Sequence, residues 1–463
     1  MNDVINAFPG YEYVRLEDGQ FHNMYRGVDL GRGGWVYSKP GIYRNVALID
    51  AASLHPTSIV MLNKLGEYTS RYADLRKARV LIKHRQFEEA GKLFDGKLKK
   101  YLENEDEADA LSAALKLPLN AFYGISAASY PNPAKDSRDV NNIIALRGAL
   151  FMKTLFDEVA AKGYEIVHIK TDSIKVANAD DHIVQFVQDF GLKYGYEMEH
   201  EATYDRMCLV NDSVYIAKYD DYGIRNKGGK HAGEWTATGA QFQQPIVFKT
   251  LFSGEPISFD DYCETKSVSG DSNIYLDMNE NLRSQEDAEE ERDRRRYNAS
   301  HPDKIKKLNP GFVDISDDEL DEIIASAHDY QFIGRVGLFF PIKPGRGGGE
   351  LFREKDGKYY AVTGTKGYRW LEAETVKLLG KEEDLDPEYH NHLVEEAISA
   401  INNYGDFDEF VGRRTIDIQS TDPVVPCGDG KYNTCLECPA CEGDICNSGY
   451  SLAVNDMKGG DSR

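Results

Sequence analysis

Apolar and polar positions along the first half of the chain predict strands and helices in turn. Residues 45–50 are an apolar run closed by an acid, which is typical of a buried strand with a carboxylate at its C-terminal end. Residues 166–169 and 174–176 are short β-branched runs joined by a polar turn, which predicts a hairpin with Asp172 at its tip. A single Asp in such a turn most often bonds its own backbone.

Helical periodicity fills much of the sequence between these strands. From about residue 57 to 100 the pattern is helical and basic on one face, and a second helix follows the acidic residues 103–109 and runs through Leu119. Two antiparallel helices with a tip near Gly96 are the simplest arrangement. A basic helix face is about as often a solvated surface as a binding surface, so composition leaves both open.

The stretches that follow complete a β-rich unit with helices on one side. Amphipathic helices are predicted at 139–161 and about 180–195, and strands are predicted near 207–210 and 214–218. In such a unit Asp50 and Asp172 are expected on neighbouring strands of one antiparallel sheet.

The charge balance bears on which partners are expected. The chain has 463 residues with 55 Lys and Arg against 77 Asp and Glu, a formal charge of −22 that by itself argues against nucleic-acid binding. An enzyme that binds divalent cations can nevertheless be acidic overall and keep its basic residues in one channel. The sequence has no apolar run of membrane-spanning length and no basic, then apolar, N-terminus, so we expect a cytoplasmic protein with no membrane partner.

Five of the seven cysteines are clustered near the C-terminus, in a Gly-rich segment. Four thiolates suit a structural Zn²⁺ site, and closely spaced thiolates also resemble iron–sulfur ligands. Free thiols are the third alternative, because five candidates do not define one geometry. All three stay open for Cys427, Cys435, Cys438, Cys441 and Cys446.

Three short motifs carry a resemblance to a known family. Residues 50–56 (Asp-Ala-Ala-Ser-Leu-His-Pro), 116–124 (Lys-Leu-Pro-Leu-Asn-Ala-Phe-Tyr-Gly) and 170–173 (Lys-Thr-Asp-Ser) resemble motifs A, B and C of family B DNA polymerases, most of all those of bacteriophages. Each motif alone is a weak signal, whereas three in the family's order are a strong one. The resemblance is clear over roughly residues 30–260.

The resemblance implies an α+β fold of the right-hand polymerase type, with an antiparallel-sheet palm, two-helix fingers, a mainly helical thumb and a small β-rich C-terminal insertion. The expected divisions are an N-terminal segment with the first part of the palm (1–56), fingers (57–128), palm (129–222), thumb (223–330), a small β unit (331–375), a helical C-terminal part (376–425) and a Cys-rich tail (426–463).

The implied reaction is template-directed DNA synthesis, in which deoxynucleoside triphosphates are added to a primer 3′-OH. In-line nucleotidyl transfer of this kind uses two divalent cations, so two carboxylates must converge on one small volume. The resemblance assigns this catalytic role to Asp50 and Asp172 and makes the backbone carbonyl of Ala51 a further ligand. Two Mg²⁺ ions are expected, because Mg²⁺ accepts few carboxylates when phosphates and waters complete its octahedron.

Further positions follow from the same motifs. Arg79 and Lys83 are four residues apart and so share a helix face, from which they would hold the triphosphate together with Lys116. The resemblance implies nucleotide binding by Ala52, Ser53, Leu54, His55, Arg79, Lys83, Lys116 and Asn120. It implies DNA binding by Tyr123, Gly124 and Tyr215. Lys227 and Lys230 are added as DNA-binding residues because a stretch of Lys and Gly can approach the duplex backbone.

Three departures from the family pattern stand out. His55 occupies the position of the usual Tyr that excludes a ribose 2′-OH, so ribonucleotide rejection is in doubt. Lys170 replaces the first Asp of Asp-Thr-Asp, where a cation could neutralise surplus charge, reach a phosphate or point away. The Lys-rich segment that grips the primer is reduced to Tyr215 within Asn-Asp-Ser-Val-Tyr.

Only about 45 residues precede the first motif, too few for the usual exonuclease domain. We therefore expect the polymerase half of a split enzyme, or a polymerase without proofreading, that acts in phage DNA replication in the host cytoplasm. Its expected partners are primer-template DNA, deoxynucleoside triphosphates, a separate exonuclease chain and other replication proteins. The alternative is a catalytically degenerate, polymerase-like DNA-binding subunit, which His55, Lys170 and the net charge would suit.

Overall fold

The computed structural model describes residues 6–128, 130–132, 142–279, 282–324 and 328–412, and of residues 282–286 it gives only the backbone. The described residues fall into two compact units. The first contains the chain up to Gln243 together with residues from Ile398 onward, and the second is Gln244–Ala397. The predicted Cys-rich tail, residues 426–463, lies outside the described residues.

The strands of the first unit are β1 (Tyr11–Arg15), β2 (Phe21–Tyr25), β3 (Val28–Asp29), β4 (Val36–Ser38), β5 (Gly41–Ala51), β6 (Glu165–Lys170), β7 (Ser173–Ala177), β8 (Met198–Leu209), β9 (Tyr215–Tyr219) and β10 (Trp235–Thr238). Seven of them form one sheet of order β10-β9-β8-β5-β7-β6-β4, whose neighbours all pair antiparallel. A separate three-stranded sheet has the order β1-β2-β3. The helices are α1 (Leu54–Met61), α2 (Thr69–Lys83), α3 (Phe87–Lys92), α4 (Glu105–Ala127), α5 (Ile143–Ala161), α6 (Asp181–Lys193) and α7 (Ala240–Gln243).

One apolar core fixes the central strands of this sheet. Ile49 of β5, Ile169 of β6 and Ile174 of β7 are fully buried in one cluster with Leu150 of α5 and Val187 of α6. Burying each such side chain contributes roughly 1.5–3 kcal/mol. The strand that ends at the first motif and the hairpin that carries the third are thereby held in one rigid layer.

The segment 57–128 is helical, as predicted, but its first helix is interrupted. Residues 57–100 contain α1, α2, α3 and short 3₁₀ turns instead of one continuous helix. Arg85, Phe94 and Asp95 have positive φ angles, which end helical runs because L-residues with side chains rarely adopt them. The two long helices of the segment, α2 and α4, are linked by a hydrogen bond of 2.8 Å from the Tyr72 hydroxyl to the Leu119 carbonyl.

The second unit contains strands as well as helices. The later elements of the chain are α8 (Pro245–Phe248), β11 (Glu264–Ser267), β12 (Asn273–Asp277), α9 (Leu282–Ser300), α10 (Asp317–Ile324), β13 (Tyr330–Gly334), β14 (Val336–Ile342), β15 (Glu350–Lys355), β16 (Lys358–Ala361), β17 (Arg369–Glu372), α11 (Ala373–Leu379), α12 (Pro387–Asn402) and α13 (Phe407–Val411). The strands form two antiparallel sheets, of order β11-β14-β17 and β13-β12-β15-β16. Two of these strands, β11 and β12, lie among the helices of the segment 223–330, which was expected to be mainly helical.

The alternation of buried and exposed residues explains why strands form in this part of the segment. Ile274 and Leu276 in β12 point to one face and are buried in a core with Leu351 and Trp370. This period of two specifies a half-buried strand. The strands β11 and β12 therefore belong with the predicted small β unit, although they lie before its expected start at residue 331.

None of the helices in the described part of the chain combines the length and the apolar character needed to cross a membrane.

Candidate active site

Asp50 and Asp172 meet at one edge of the seven-stranded sheet. In the pairing of β5 with β7, Asp50 lies opposite Ser173, the residue after Asp172. The Ala51 amide donates a hydrogen bond of 2.8 Å to the Asp172 carbonyl, which ties the two motifs together. The prediction that the two acids come from neighbouring strands of one antiparallel sheet is confirmed.

The surroundings make both carboxylates costly to ionise. Burial, followed by the charges of Asp172 and Glu201, raises the pKa of Asp50 to about 8. Burial also raises the pKa of Asp172. Two buried acids of like charge favour either a shared proton or a bound cation, because both relieve the repulsion.

The hairpin tip that carries Asp172 contacts a loop from the N-terminal part of the chain. Thr171 has a φ of 60°, which is unusual for a β-branched residue and costs about 1–3 kcal/mol. Its amide donates to the Trp35 carbonyl at 3.1 Å. A Cβ on Gly34 would lie 2.5 Å from the Thr171 side chain, so only glycine allows this close approach. The tip is thus shaped by a loop that precedes the first motif.

The carboxylates open into a cleft of about 370 Å³ that unites the first two motifs. Of the predicted site residues, it is lined by Asp50, Ala51, Ala52, Ser53, Leu54, His55, Arg79, Lys83, Lys116, Asn120 and Asp172. Three apolar residues also line the cleft: Pro56 near the start of α1, Val80 and Leu119. The structure therefore brings together every residue predicted to bind nucleotide.

The three predicted triphosphate cations differ in their surroundings. Arg79 on α2 places Nη1 3.4 Å from the Ser53 hydroxyl, while its buried Nε makes no hydrogen bond. Burial lowers its pKa. Lys83, one turn further along α2, donates to Glu199 Oε2 at 2.9 Å. Lys116 on α4 is exposed at the cleft.

The ring at the expected sugar-discriminating position is packed against the second motif. His55 stacks on Tyr123 with ring centroids 4.1 Å apart and planes 8° from parallel. Asn142 donates to the Tyr123 hydroxyl at 2.9 Å, and burial lowers the pKa of His55. The imidazole is therefore neutral at pH 7. Gly124, the residue after Tyr123, is exposed, with open space where a Cβ would lie.

Some predicted residues lie away from the cleft. Lys170 reaches the Ser213 hydroxyl at 3.4 Å and does not line the cleft. Tyr215, at the start of β9, contacts the buried residues behind the site, with the Lys175 ammonium 5.2 Å from its ring centroid. Lys227 and Lys230 are exposed on a loop that is closed by the bridge of Ile224 with Lys230. The predicted roles of these residues stay predictions.

Sequence reasoning missed a buried cation behind the carboxylates. The Lys175 ammonium, 3% exposed as a residue, lies 3.1 Å from His168 Nδ1, and His168 Nε2 lies 3.1 Å from the Asp212 carbonyl. Burial, then the charge of Lys175, lowers the pKa of His168 to about 4, so the imidazole is neutral and its Nδ1 accepts from the lysine. The two residues face each other across the β6–β7 hairpin. A Lys inside a strand of apolar residues was the available signal.

Glu199 was also missed. It lies opposite Asp50 in the pairing of β5 with β8 and accepts hydrogen bonds from Lys83 at 2.9 Å and Asn226 at 3.0 Å. The His84 Nε2 atom lies 2.9 Å from its other carboxylate oxygen. The alternation of Glu197, Glu199 and Glu201 was visible in the sequence, but not which of them lies opposite Asp50.

In the described part of the chain, no group of three or more His, Cys, Asp or Glu side chains is arranged as a metal site. A carboxylate pair with a nearby backbone carbonyl still suits Mg²⁺, whose remaining positions are normally filled by substrate oxygens and water. The raised pKa values of Asp50 and Asp172 fit this assignment, because a cation would remove their mutual repulsion. The five clustered cysteines, Cys427 to Cys446, lie outside the described residues.

No protein-family model matches the chain. It is 26% identical over 277 residues to DNA polymerase II of Escherichia coli (strain K12), a match that covers 48% of this chain and 33% of that enzyme. The chain is distantly similar to a DNA polymerase. It spans about one third of the length of that relative. The family B DNA polymerase of the archaeon Pyrobaculum calidifontis aligns over 83% of this chain and 48% of its own, with a TM-score of 0.39 and 12% identity.

The raised pKa of Asp50 predicts how stability depends on pH. Because Asp50 titrates at about 8 in the folded protein and near 4 when unfolded, its contribution to folding is present at pH 4 and is lost as pH rises through 8. In EDTA we expect the free energy of unfolding of Asp50→Asn to exceed that of wild type by roughly 1–3 kcal/mol at pH 8.5 and to be almost equal to it at pH 4.5. Urea unfolding at the two pH values measures this. A stabilisation that is the same at both would contradict it.

Proposed function

We propose that this chain is a template-directed DNA polymerase of family B that adds deoxynucleoside triphosphates to the 3′-OH of a nucleic-acid primer. The observation that carries the proposal is the cleft in which Asp50 and Asp172 face Arg79, Lys83 and Lys116. Carboxylates on one side and cations on the other fit a triphosphate with its Mg²⁺ ions. The distant similarity to a DNA polymerase supports the same reaction.

Each side of the cleft has its own role in this proposal. Asp50, Asp172 and the Ala51 carbonyl would hold two Mg²⁺ ions, whose charge would lower the pKa of the primer hydroxyl and offset the charge of the leaving pyrophosphate. The guanidinium of Arg79 and the ammonium groups of Lys83 and Lys116 bind the triphosphate oxygens and orient the α-phosphorus for in-line attack.

The remaining lining residues select and orient the nucleotide. The chain from Ala52 to His55 forms the floor under the sugar and phosphates, and Asn120 contacts the nucleotide from α4. Tyr123 and Gly124 border the nascent base pair. Because His55 is fixed by its stack on Tyr123, it presents a rigid ring edge to the sugar.

The proposed partners are primer-template DNA, deoxynucleoside triphosphates, a separate exonuclease chain and other replication proteins of a phage. The exposed Lys227 and Lys230 would contact the DNA backbone, whose phosphates attract flexible cations. Tyr215, which lies behind the carboxylates, would bind DNA on the side of the primer strand. A structural Zn²⁺ in the cysteine-rich tail remains a proposal for Cys427, Cys435, Cys438, Cys441 and Cys446.

Primer extension tests the proposal. We expect the full chain to extend a labelled DNA hairpin with a 5′ overhang when Mg²⁺ and deoxynucleoside triphosphates are present, with each added base set by the template. EDTA or omission of the templated nucleotide should stop extension. DNA binding without incorporation, also in the presence of its replication partners, would instead favour the catalytically degenerate DNA-binding subunit.

A further inference from the structure

Lys83, one of the three cations proposed to bind the triphosphate, is paired with a carboxylate of the protein. The Lys83 ammonium lies 2.9 Å from Glu199 Oε2, and the two side chains are 29% and 10% exposed. Lys83 and Glu199 both belong to the first compact unit, one on α2 and the other on β8. The charge expected to grip phosphate is therefore already bound to an internal anion.

Glu199 has a second hydrogen-bond donor besides Lys83. Asn226 donates to the oxygen that binds Lys83, whereas the other oxygen lies 2.9 Å from His84 Nε2 but makes no hydrogen bond within the described residues. Burial raises the pKa of Glu199, but Lys83, with smaller contributions from the charge of His84 and the hydrogen bond of Asn226, leaves the pKa below its ordinary value. The carboxylate is thus ionised, and its hydrogen bond from Asn226 does not depend on Lys83.

Arg79, the other cation that α2 places in the cleft, has no such ion pair among the described residues. Arg79 lies four residues before Lys83 on the same helix and donates a hydrogen bond to the neutral Ser53 hydroxyl, while Glu199 acts on it only through its charge. Of these two cations only Lys83 has a carboxylate partner in the described structure. A phosphate anion must therefore displace Glu199 from Lys83, but it displaces no carboxylate from Arg79.

We propose that Glu199 is an internal competitor for Lys83, which holds the lysine when the cleft is empty, yields it to the triphosphate, and takes it back when pyrophosphate leaves. This role rests on the proposed polymerase function for its use in turnover, whereas the competition itself concerns any polyphosphate. Glu199 is a positioning residue, since it acts on the substrate through Lys83. The competition weakens binding of substrate and product alike and so favours product release.

Pyrophosphate binding tests the competition directly. Isothermal titration of the full chain with inorganic pyrophosphate in Mg²⁺, without DNA, should show about three- to tenfold tighter binding by Glu199→Gln than by wild type. Glu197→Gln is the matched control, because it removes the same charge from an exposed residue two positions earlier. We expect this control to bind pyrophosphate as wild type does.

A double variant separates competition from a general change of charge. Without Lys83 the carboxylate acts on the cleft only at a distance, through its charge on Arg79 and Asp50. Lys83→Met/Glu199→Gln should therefore bind pyrophosphate less than about twofold tighter than Lys83→Met. Unchanged or weaker binding by Glu199→Gln, a gain of the same size without Lys83, or no measurable binding by any variant would overturn the proposal. Thermal unfolding of each variant shows that the near-isosteric change leaves the fold intact.

Primer extension then tests the same residue in turnover. Glu199→Gln should be inhibited by pyrophosphate at three- to tenfold lower concentration than wild type. If wild type does not extend primers, the polymerase proposal fails, yet the pyrophosphate titration still decides the role of Glu199.

Discussion

Asp172→Asn should abolish primer extension, with a fall in rate of at least roughly 10³-fold. The amide keeps the shape of the side chain at the hairpin tip but removes the charge that, with Asp50, would bind the metal ions. Binding of primer-template DNA should stay within about twofold of wild type, because phosphate contacts dominate that affinity and none is altered. Extension in a quenched time course and DNA binding by fluorescence anisotropy measure the two effects.

The location of the metal site can be tested without turnover. Titration of Mn²⁺ followed by electron paramagnetic resonance should show that Asp172→Asn loses metal binding. Asp189→Asn, an exposed change on α6, is the control and should behave as wild type in every assay. Extension by Asp172→Asn at more than a tenth of the wild-type rate would show that the metal ions are held elsewhere.

Arg79→Met should raise the KM for the incoming nucleotide about 10- to 100-fold and change kcat less. A hydrogen bond to a charged group contributes about 1.5–3 kcal/mol, and Arg79, unlike Lys83, gives up no paired carboxylate on binding phosphate. Steady-state kinetics on a primed template measures both constants. A fall in kcat alone would indicate a role in positioning the reacting atoms.

Although Arg79→Met should weaken nucleotide binding, we expect it not to lower the stability of the fold. The buried Nε of Arg79 makes no hydrogen bond, and burial lowers the pKa of the guanidinium despite the charge of Glu199, so the desolvation of its charge is only partly offset. We expect Arg79→Met to unfold at a midpoint equal to or above that of wild type. Arg71→Met, an exposed change on the same helix, controls for the loss of a charge and should change neither KM nor stability.

The residues that the motifs predicted to share a site do share one, and the reason is simple spacing. Asp50 closes a strand with an unmistakable apolar pattern, and Asp172 sits at a short turn between β-branched runs, so both locations follow from local sequence. Arg79 and Lys83 share a face because four residues make about one helical turn.

Glu199 could not be assigned in this way. The pairing of β5 with β8 shifts register between Leu48 and Ile49, and this irregularity decides which acid of β8 lies opposite Asp50. A register shift of one residue moves every side chain to the other face, and no local pattern marks it here. The interruption of the first helical segment was equally hidden, because Phe94 and Asp95 adopt positive φ without being glycine.

The loop at Gly34 and Trp35 sets the limits of a minimal catalytic fragment. Since the Trp35 carbonyl holds the Thr171 amide, a shortened chain that begins at β5 would keep every motif residue and still lose the brace of the Asp172 turn. Chimeras with DNA polymerases should therefore exchange this loop together with the hairpin it supports. The residues needed to shape the site begin upstream of its first recognisable motif.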